Sequence, residues 1–329
     1  MKWLAFLLLP LFFGSCASDQ AVRNQAEEMH RELEPAILAD QELVAYLESM
    51  GDRIVASAHE LSAAKKGPKA HFKEDTSWMF STERFHLVSS DQLNAFTTGG
   101  SHMYVYTQLL ASCASEDELA AVMAHEFAHV YCRHVHKGMN RQYMTLGTAA
   151  ALGVAGYAAG GEEHGDEYMG YGLALGMLAG NFLSLGFTRQ DEAEADRWGF
   201  EFYARAGWDP ARFGDFFQSL IDKGYDTESD TFSDHPTLAS RVQAAQAQAA
   251  KLPAEAAQWR REPVAGKSKF AAMKARAVAM TAANGDKAKA QAKLLLRSVP
   301  SCLLPNDTKE QKDAQAQLRA AEQRARAQP

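Results

Sequence analysis

The chain has 329 residues, with 41 acidic against 34 basic side chains and a formal net charge of −7 at pH 7. There is no basic excess, so no nucleic-acid footprint, and no positive cluster that would hold a scaffold on a membrane surface. The length suits one core domain with appendages.

Residues 1–15 read as an export signal. Lys2 is the positive start, and the apolar run from Trp3 to Phe13 is too short to span a bilayer. Phe13-Gly14-Ser15-Cys16 resembles a bacterial lipobox, with Phe13 in place of the usual aliphatic residue. A lipid on Cys16 would anchor the chain to a membrane without a spanning helix. The alternative is a plain secretory signal with an incidental cysteine. Either reading places the protein outside the cytoplasm, anchored and facing the periplasm in the first case. Three further cysteines follow, Cys113, Cys132 and Cys302. Cys113 and Cys132 flank a helix of some 19 residues at about 1.5 Å each, far beyond disulfide reach. Any bridge must use Cys302, and three unpaired thiols are an equal expectation.

Residues 19–64 carry apolar side chains at helical spacing and predict two helices, closed by Lys65-Lys66-Gly67-Pro68. Phe85-His86-Leu87-Val88 predicts a strand. Asn94-Ala95-Phe96-Thr97 and Met103-Tyr104-Val105-Tyr106 predict two more, joined at Gly99-Gly100-Ser101. The expected sheet is small and antiparallel. Its edge could pair with an extended polypeptide, or it could simply cover the core.

Ser115, with Glu118 three residues on, signals a helix start. Leu119, Val122, Met123, Phe127 and Val130 continue at helical spacing. Inside this helix lies His125-Glu126-Phe127-Ala128-His129, an HExxH. Residues four apart share a helix face, so His125 and His129 can aim two imidazoles at one metal. Glu126, about 100° round the helix, cannot join them but can reach a water held on that metal. Protein ligands, an open position and a nearby carboxylate are what a zinc peptidase needs.

Residues 145–186 are rich in Gly and Ala, with two apolar stretches around a polar tip that contains His164. They predict a pair of helices beside the site, or alternatively a hairpin that touches membrane. His164 reads as a solvated loop histidine. Thr188 is the expected N-cap of the next helix, and Gly207 its end. On that helix Glu192 and Asp196 are four apart. One can be the third ligand while the other holds an imidazole by its free N–H. Glu194 points elsewhere and reads as a surface charge. Asp209-Pro210 starts a further helix packed by Phe213, Phe216, Phe217, Leu220 and Ile221. After a polar loop come His235-Pro236 and Arg241. From Pro253 the composition predicts a helical extension that frays near Gln311.

Asn94-Ala95-Phe96 with Gly99-Gly100, the HExxH continuing to Arg133-His134, Thr188 through Asp196 with Gly199, and His235-Pro236 with Arg241 together resemble the HtpX/BepA-type zinc metallopeptidases. These are kin of the Ste-type and Oma-type enzymes. The resemblance runs from Asn94 to Arg241 and includes four elements in the family's order. It implies an α+β, mostly helical zincin-type peptidase core over residues 16–252, with a small antiparallel sheet, and leaves 253–329 as a helical extension. It implies one zinc ion on His125, His129 and Glu192, with Glu126 as general base and Asp196 behind the ligands. His235 would approach the metal at rest and swing away, and Arg241 would stabilise charge on the tetrahedral intermediate. An oxyanion does need a donor already in place.

The expected function is endopeptidase work in the bacterial envelope on misfolded or unassembled proteins. The substrates would be extended or unfolded polypeptides, with an envelope partner for the C-terminal region. The competing reading is a chaperone or binding module that keeps the zinc fold but cleaves little.

Overall fold

The computed structural model describes residues 18–65, 75–81, 84–141, 187–225, 236–284, 290–304 and 308–327. The export segment with Cys16, the glycine-rich residues 145–186 with His164, and His235 lie outside the described residues. Among the described residues, no helix is long and apolar enough to cross a membrane.

Compactness divides the chain into two units, residues 1–22 with 135–186 and residues 23–134 with 187–329. In the first, His136 Nδ1 lies 3.7 Å from Asp19 Oδ1. The second carries the sheet, the HExxH helix and the whole C-terminal region.

Helices α1 (Asp19–Leu33) and α2 (Gln41–Ala63) match the two expected from periodicity. Asp40 caps α2 by accepting from the Leu43 amide. Gly51 sits mid-helix because the Phe85 ring lies on it; a Cβ there would stand 2.0 Å from a ring carbon. After the short helix α3 (Trp78–Ser81), strands β1 (Arg84–Val88), β2 (Ala95–Thr97) and β3 (His102–Tyr106) form one sheet in the order β1-β3-β2.

The pairing corrects one expectation. β2 and β3 are the antiparallel hairpin, turning through Gly99 at φ +76°, but β1 pairs with β3 in parallel, so the sheet is mixed. All five residues of β3 are buried. Such a strand needs backbone partners on both edges, and placing it between β1 and β2 supplies them.

Helix α4 (Thr107–Ser112) leads to α5 (Glu116–Tyr131), the HExxH helix. Nearly every α5 residue is buried, polar ones included, so it is a central helix rather than an amphipathic surface one. Its acidic first turn ties the unit together. Ser115 caps it through the Glu118 amide. Glu116 accepts from the Tyr46 hydroxyl at 3.2 Å, Trp208 Nε1 at 3.0 Å and the Val264 and Ala265 amides at 2.7 and 2.5 Å. Asp117 accepts from the Tyr203 hydroxyl at 2.9 Å and Arg212 Nη1 at 2.8 Å. Carboxylates at a helix N-terminus are favoured by its dipole, and here each is also hydrogen-bonded.

Helix α6 (Arg189–Ala206) packs along α5. Thr188 and Asp191 form a capping box, and Gly207 ends the helix at φ +110°. Gly199 lets the two helices touch. A Cβ at Gly199 would lie 3.0 Å from both the backbone N and the Cα of His125. Asp209 caps a short 3-10 turn before α7 (Asp215–Asp222), and Phe213, Phe216, Phe217 and Leu220 are buried as the apolar spacing predicts. Thr237 caps α8 (Leu238–Ala249), which carries Arg241.

Helices α9 (Lys267–Asn284), α10 (Ala290–Ser298) and α11 (Lys309–Ala327) complete the unit. The chain is helical beyond Gln311, where composition predicts fraying. The reason is a capping box: the Thr308 amide donates to Gln311 Oε1 at 2.7 Å and the Gln311 amide to Thr308 Oγ1 at 3.2 Å. Gln311 and Ala314 are buried against α10.

Gly199→Ala should force α5 and α6 apart by a few tenths of an ångström, destabilising the fold by about 1–3 kcal/mol. Chemical denaturation checks this, and stability within about 0.5 kcal/mol of wild type would show that the contact is not tight.

Candidate metal centre

His125 and His129, one turn apart on α5, bring their Nε2 atoms within 3.0 Å of each other. Glu192, on the first turns of α6, faces both: one oxygen is 3.5 Å from His125 Nε2 and the other 3.8 Å from His129 Nε2. All three side chains are fully buried. Glu192, not Asp196, is thus the carboxylate that faces both Nε2 atoms. Asp196 Oδ1 lies 2.9 Å from His125 Nδ1, on the far side of the ring.

Neither oxygen of Glu192 has a hydrogen-bond partner, and neither does Glu126 Oε2. Arg241 Nη2 lies 3.8 Å from Glu192 Oε2, beyond hydrogen-bond reach, so this buried carboxylate lacks a close partner that a cation among the three groups would supply. The histidines agree with a cation. His125 Nδ1 is engaged by Asp196. His129 Nδ1 lies 2.9 Å from His134 Nδ1, whose Nε2 lies 3.2 Å from Glu194 Oε2. With each Nδ1 as the N–H, both Nε2 lone pairs point into the space that Glu192 faces. A sulfur joins them: ligand atoms of His125, His129, Glu192 and Cys302 all lie within 4.8 Å of one another. This donor set of imidazole, carboxylate and thiol fits a divalent metal.

Electrostatics follow from burial and these pairs. Burial and Arg241 press the His125 pKa down, but Asp196 and Glu192 outweigh them and hold it up to about 9, favouring an imidazolium whose Nε2 proton a metal would displace. Burial opposes ionisation of Asp196, yet Arg241 and His125 keep it well below the usual carboxylate range. Burial raises the Glu126 carboxyl to about 7, aided by Glu192 and opposed by His125, Cys302 and Arg241.

Arg241 divides its guanidinium. Nε and Nη2 clamp Asp196 at 2.8 and 2.7 Å, and Nη1 donates to the Cys302 carbonyl at 2.6 Å. Its carbon sits 3.9 Å above the Phe217 ring centre. Most of its charge therefore serves the layer behind His125, and one N–H reaches a peptide carbonyl. His235 lies outside the described residues. Glu194, expected at the surface, instead supports His134. The tautomer relay from Glu194 through His134 to His129 depends on a tight turn after α5, where Arg133 takes φ +58°. The Arg133-His134 pair is visible in the sequence, but its aim back at His129 is not. Phe187, stacked on His129 with ring centres 3.9 Å apart, and Cys302 carry no local signal at all.

A family model described as Peptidase family M48 matches residues 63–249. The chain belongs to this family of metal-dependent peptidases. Among curated relatives it is 31% identical over 188 residues to the beta-barrel assembly-enhancing protease of Yersinia pestis, covering 57% of this chain and 34% of that protein. It is 31% identical over 159 residues to the metalloprotease LoiP of Escherichia coli, covering 48% and 60%. It is 27% identical over 228 residues to the mitochondrial metalloendopeptidase OMA1 of Arabidopsis thaliana, covering 68% and 43%. The chain thus spans about a third of the length of the beta-barrel assembly-enhancing proteases it matches.

His134→Ala should weaken divalent-metal affinity about 10–100-fold by freeing the His129 ring. Competition with a chelator measures this. Unchanged metal affinity, with or without a drop in metal-free stability, would make His134 a packing residue only.

Proposed function

We propose that the chain is a zinc-dependent endopeptidase of the bacterial cell envelope that hydrolyses misfolded or unassembled envelope proteins. The observation that carries the chemical part is the buried Glu192 carboxylate, unpartnered and facing two Nε2 atoms, with Glu126 beside it. His125, His129 and Glu192 would hold the zinc, with Asp196 and His134 orienting the imidazoles. A bound zinc would polarise the scissile carbonyl and acidify the attacking water.

The remaining work falls to side chains. Glu126 Oε2, buried and without a hydrogen-bond partner, is placed to take a proton from the water and return it to the leaving amine. Arg241 Nη1 already reaches a peptide carbonyl and can steady the charge that develops on one. The β2 edge can receive an extended substrate backbone, so unfolded chains are the expected substrates. His235, just ahead of Pro236 in the sequence, is proposed as a gate that approaches the metal only when neither substrate nor another group of the chain holds its fourth position.

The envelope part rests on the apolar segment ending at Cys16 and on relatives whose names place them at beta-barrel assembly. An anchor on Cys16 would put the protease at a membrane surface facing the periplasm, with the C-terminal region available to an envelope partner.

Purified protein should hold about one zinc per chain, and His129→Ala or Glu192→Ala should lose most of it. Glu126→Gln should keep the zinc and lose cleavage of unfolded casein by about 10²–10⁴-fold. Elemental analysis beside the digest checks both, and a fully active Glu126→Gln protein would remove Glu126 as the base. For the anchor, a clickable fatty acid fed to cells should label wild type but not Cys16→Ser. Failure of wild type to take up label would rule out lipidation.

A further inference from the structure

Cys302, between α10 and α11, enters the metal centre. Val299, Ser301, Cys302, Leu303 and Leu304 are all buried in this stretch. Polar groups of the proposed site hold the backbone of this segment. Asn94 Nδ2, just ahead of edge strand β2, donates to the Val299 carbonyl at 3.3 Å and the Pro300 carbonyl at 3.4 Å. Arg241 Nη1 donates to the Cys302 carbonyl at 2.6 Å. Gln311 Nε2, from α11, also donates to the Val299 carbonyl, at 3.1 Å. The Cys302 thiol donates to Glu126 Oε1 at 2.7 Å, and its sulfur lies in the same cluster as the His125, His129 and Glu192 ligand atoms.

The pattern is that of an occupant rather than of a wall. A substrate would need Arg241 for a carbonyl, Glu126 for its water and the approach beside Asn94 for its backbone. The chain's own residues 299–304 use all three. The Glu192 oxygens and Glu126 Oε2, buried without a hydrogen-bond partner, independently favour a cation in this space.

We propose that residues 299–304 are an intramolecular occupant of the substrate groove, and that Cys302 closes the metal centre as its fourth ligand, keeping the peptidase latent until the segment withdraws. This rests on the metal-centre reading above. Zinc with four protein ligands has no open position for water, which is the difference between a structural and a catalytic site. Binding through sulfur would require the thiol to lose its proton, and Glu126 Oε1, 2.7 Å away, would be the acceptor, so the base would be occupied too. Being tethered at both ends by helices, the segment competes at high effective concentration, so only a substrate or partner that displaces it would open the site.

Cobalt(II) replacing zinc in the full chain tests this without relying on activity. Wild type should show a near-ultraviolet thiolate-to-cobalt charge-transfer band, and Cys302→Ser should lose the band while still binding one cobalt. With zinc, Cys302→Ser should cleave unfolded casein about tenfold faster or more, as expected if the open state is populated about a tenth of the time or less in wild type. Iodoacetamide labelling with peptide mapping gives a second measure in the unmutated chain: chelation of the metal should speed modification of Cys302 strongly, and that of Cys113 and Cys132 far less. Cobalt bound through His125, His129 and Glu192 with no thiolate band, or Cys302 alkylated equally fast with and without metal, would overturn the proposal. So would a thiolate band with no rise in cleavage in Cys302→Ser. Absence of stoichiometric metal from wild type, or its full retention in His129→Ala, would instead overturn the metal-centre reading itself.

Discussion

The contact between α5 and α6 at Gly199 sets the conditions for everything else. With no side chain at that position, the backbone of α6 meets the backbone of α5 at His125. At that separation Glu192 is brought opposite two imidazoles, with all three side chains buried. Burial does the rest. A buried carboxylate facing two ring nitrogens, with Arg241 Nη2 no nearer than 3.8 Å, favours a positive charge among them. The same dryness strengthens each nearby interaction, so the pKa values of Glu126 and Asp196 move in opposite directions within one small space.

Two second layers hold the imidazoles, and both draw on α6. Asp196, locked by Arg241, takes His125; Glu194, through His134, takes His129. The helix therefore supplies a ligand candidate and both supports from within five residues. Glu192 and Asp196 do so on one face. Glu194 lies round the helix and can take part only because the chain doubles back after α5 through the left-handed Arg133. That conformation is unfavourable for a residue with a side chain, and its persistence at this turn is in keeping with the relay it enables.

Stability and function are joined at the two ends of α5. Its first turn binds α2, the end of α6 and residues 264 and 265 through Glu116 and Asp117. The middle carries His125, Glu126 and His129. The C-terminal region is consequently part of the same compact unit as the chemistry: residues 264 and 265 satisfy one end of the helix, and residue 302 reaches its centre. A region that composition presents as an appendage is a structural neighbour of the active residues.

Much of this was legible in the sequence. Local rules act over three or four residues, so the Ser115, Thr188 and Asp209 caps, the glycine stops and the same-face pairs His125/His129 and Glu192/Asp196 could be read directly. The Thr308/Gln311 capping box was equally local and contradicted the frayed tail that composition suggested. Other features were decided only by tertiary packing. The parallel pairing of β1 with β3 depends on which strand lies between which, and alternation of side chains does not encode it. Whether Glu192 or Asp196 faces the Nε2 atoms depends on the angle and depth at which α6 meets α5. Glu194 looked like a surface charge because nothing in its neighbourhood announces His134, 60 residues earlier in the chain. Cys302 stands 176 residues from Glu126, and its meeting with that carboxylate comes from the packing of α10 and α11. Periodicity and capping are properties of the nearby chain. The contents of a dry pocket are set by which distant segments fill it, and that is settled only when the whole unit closes.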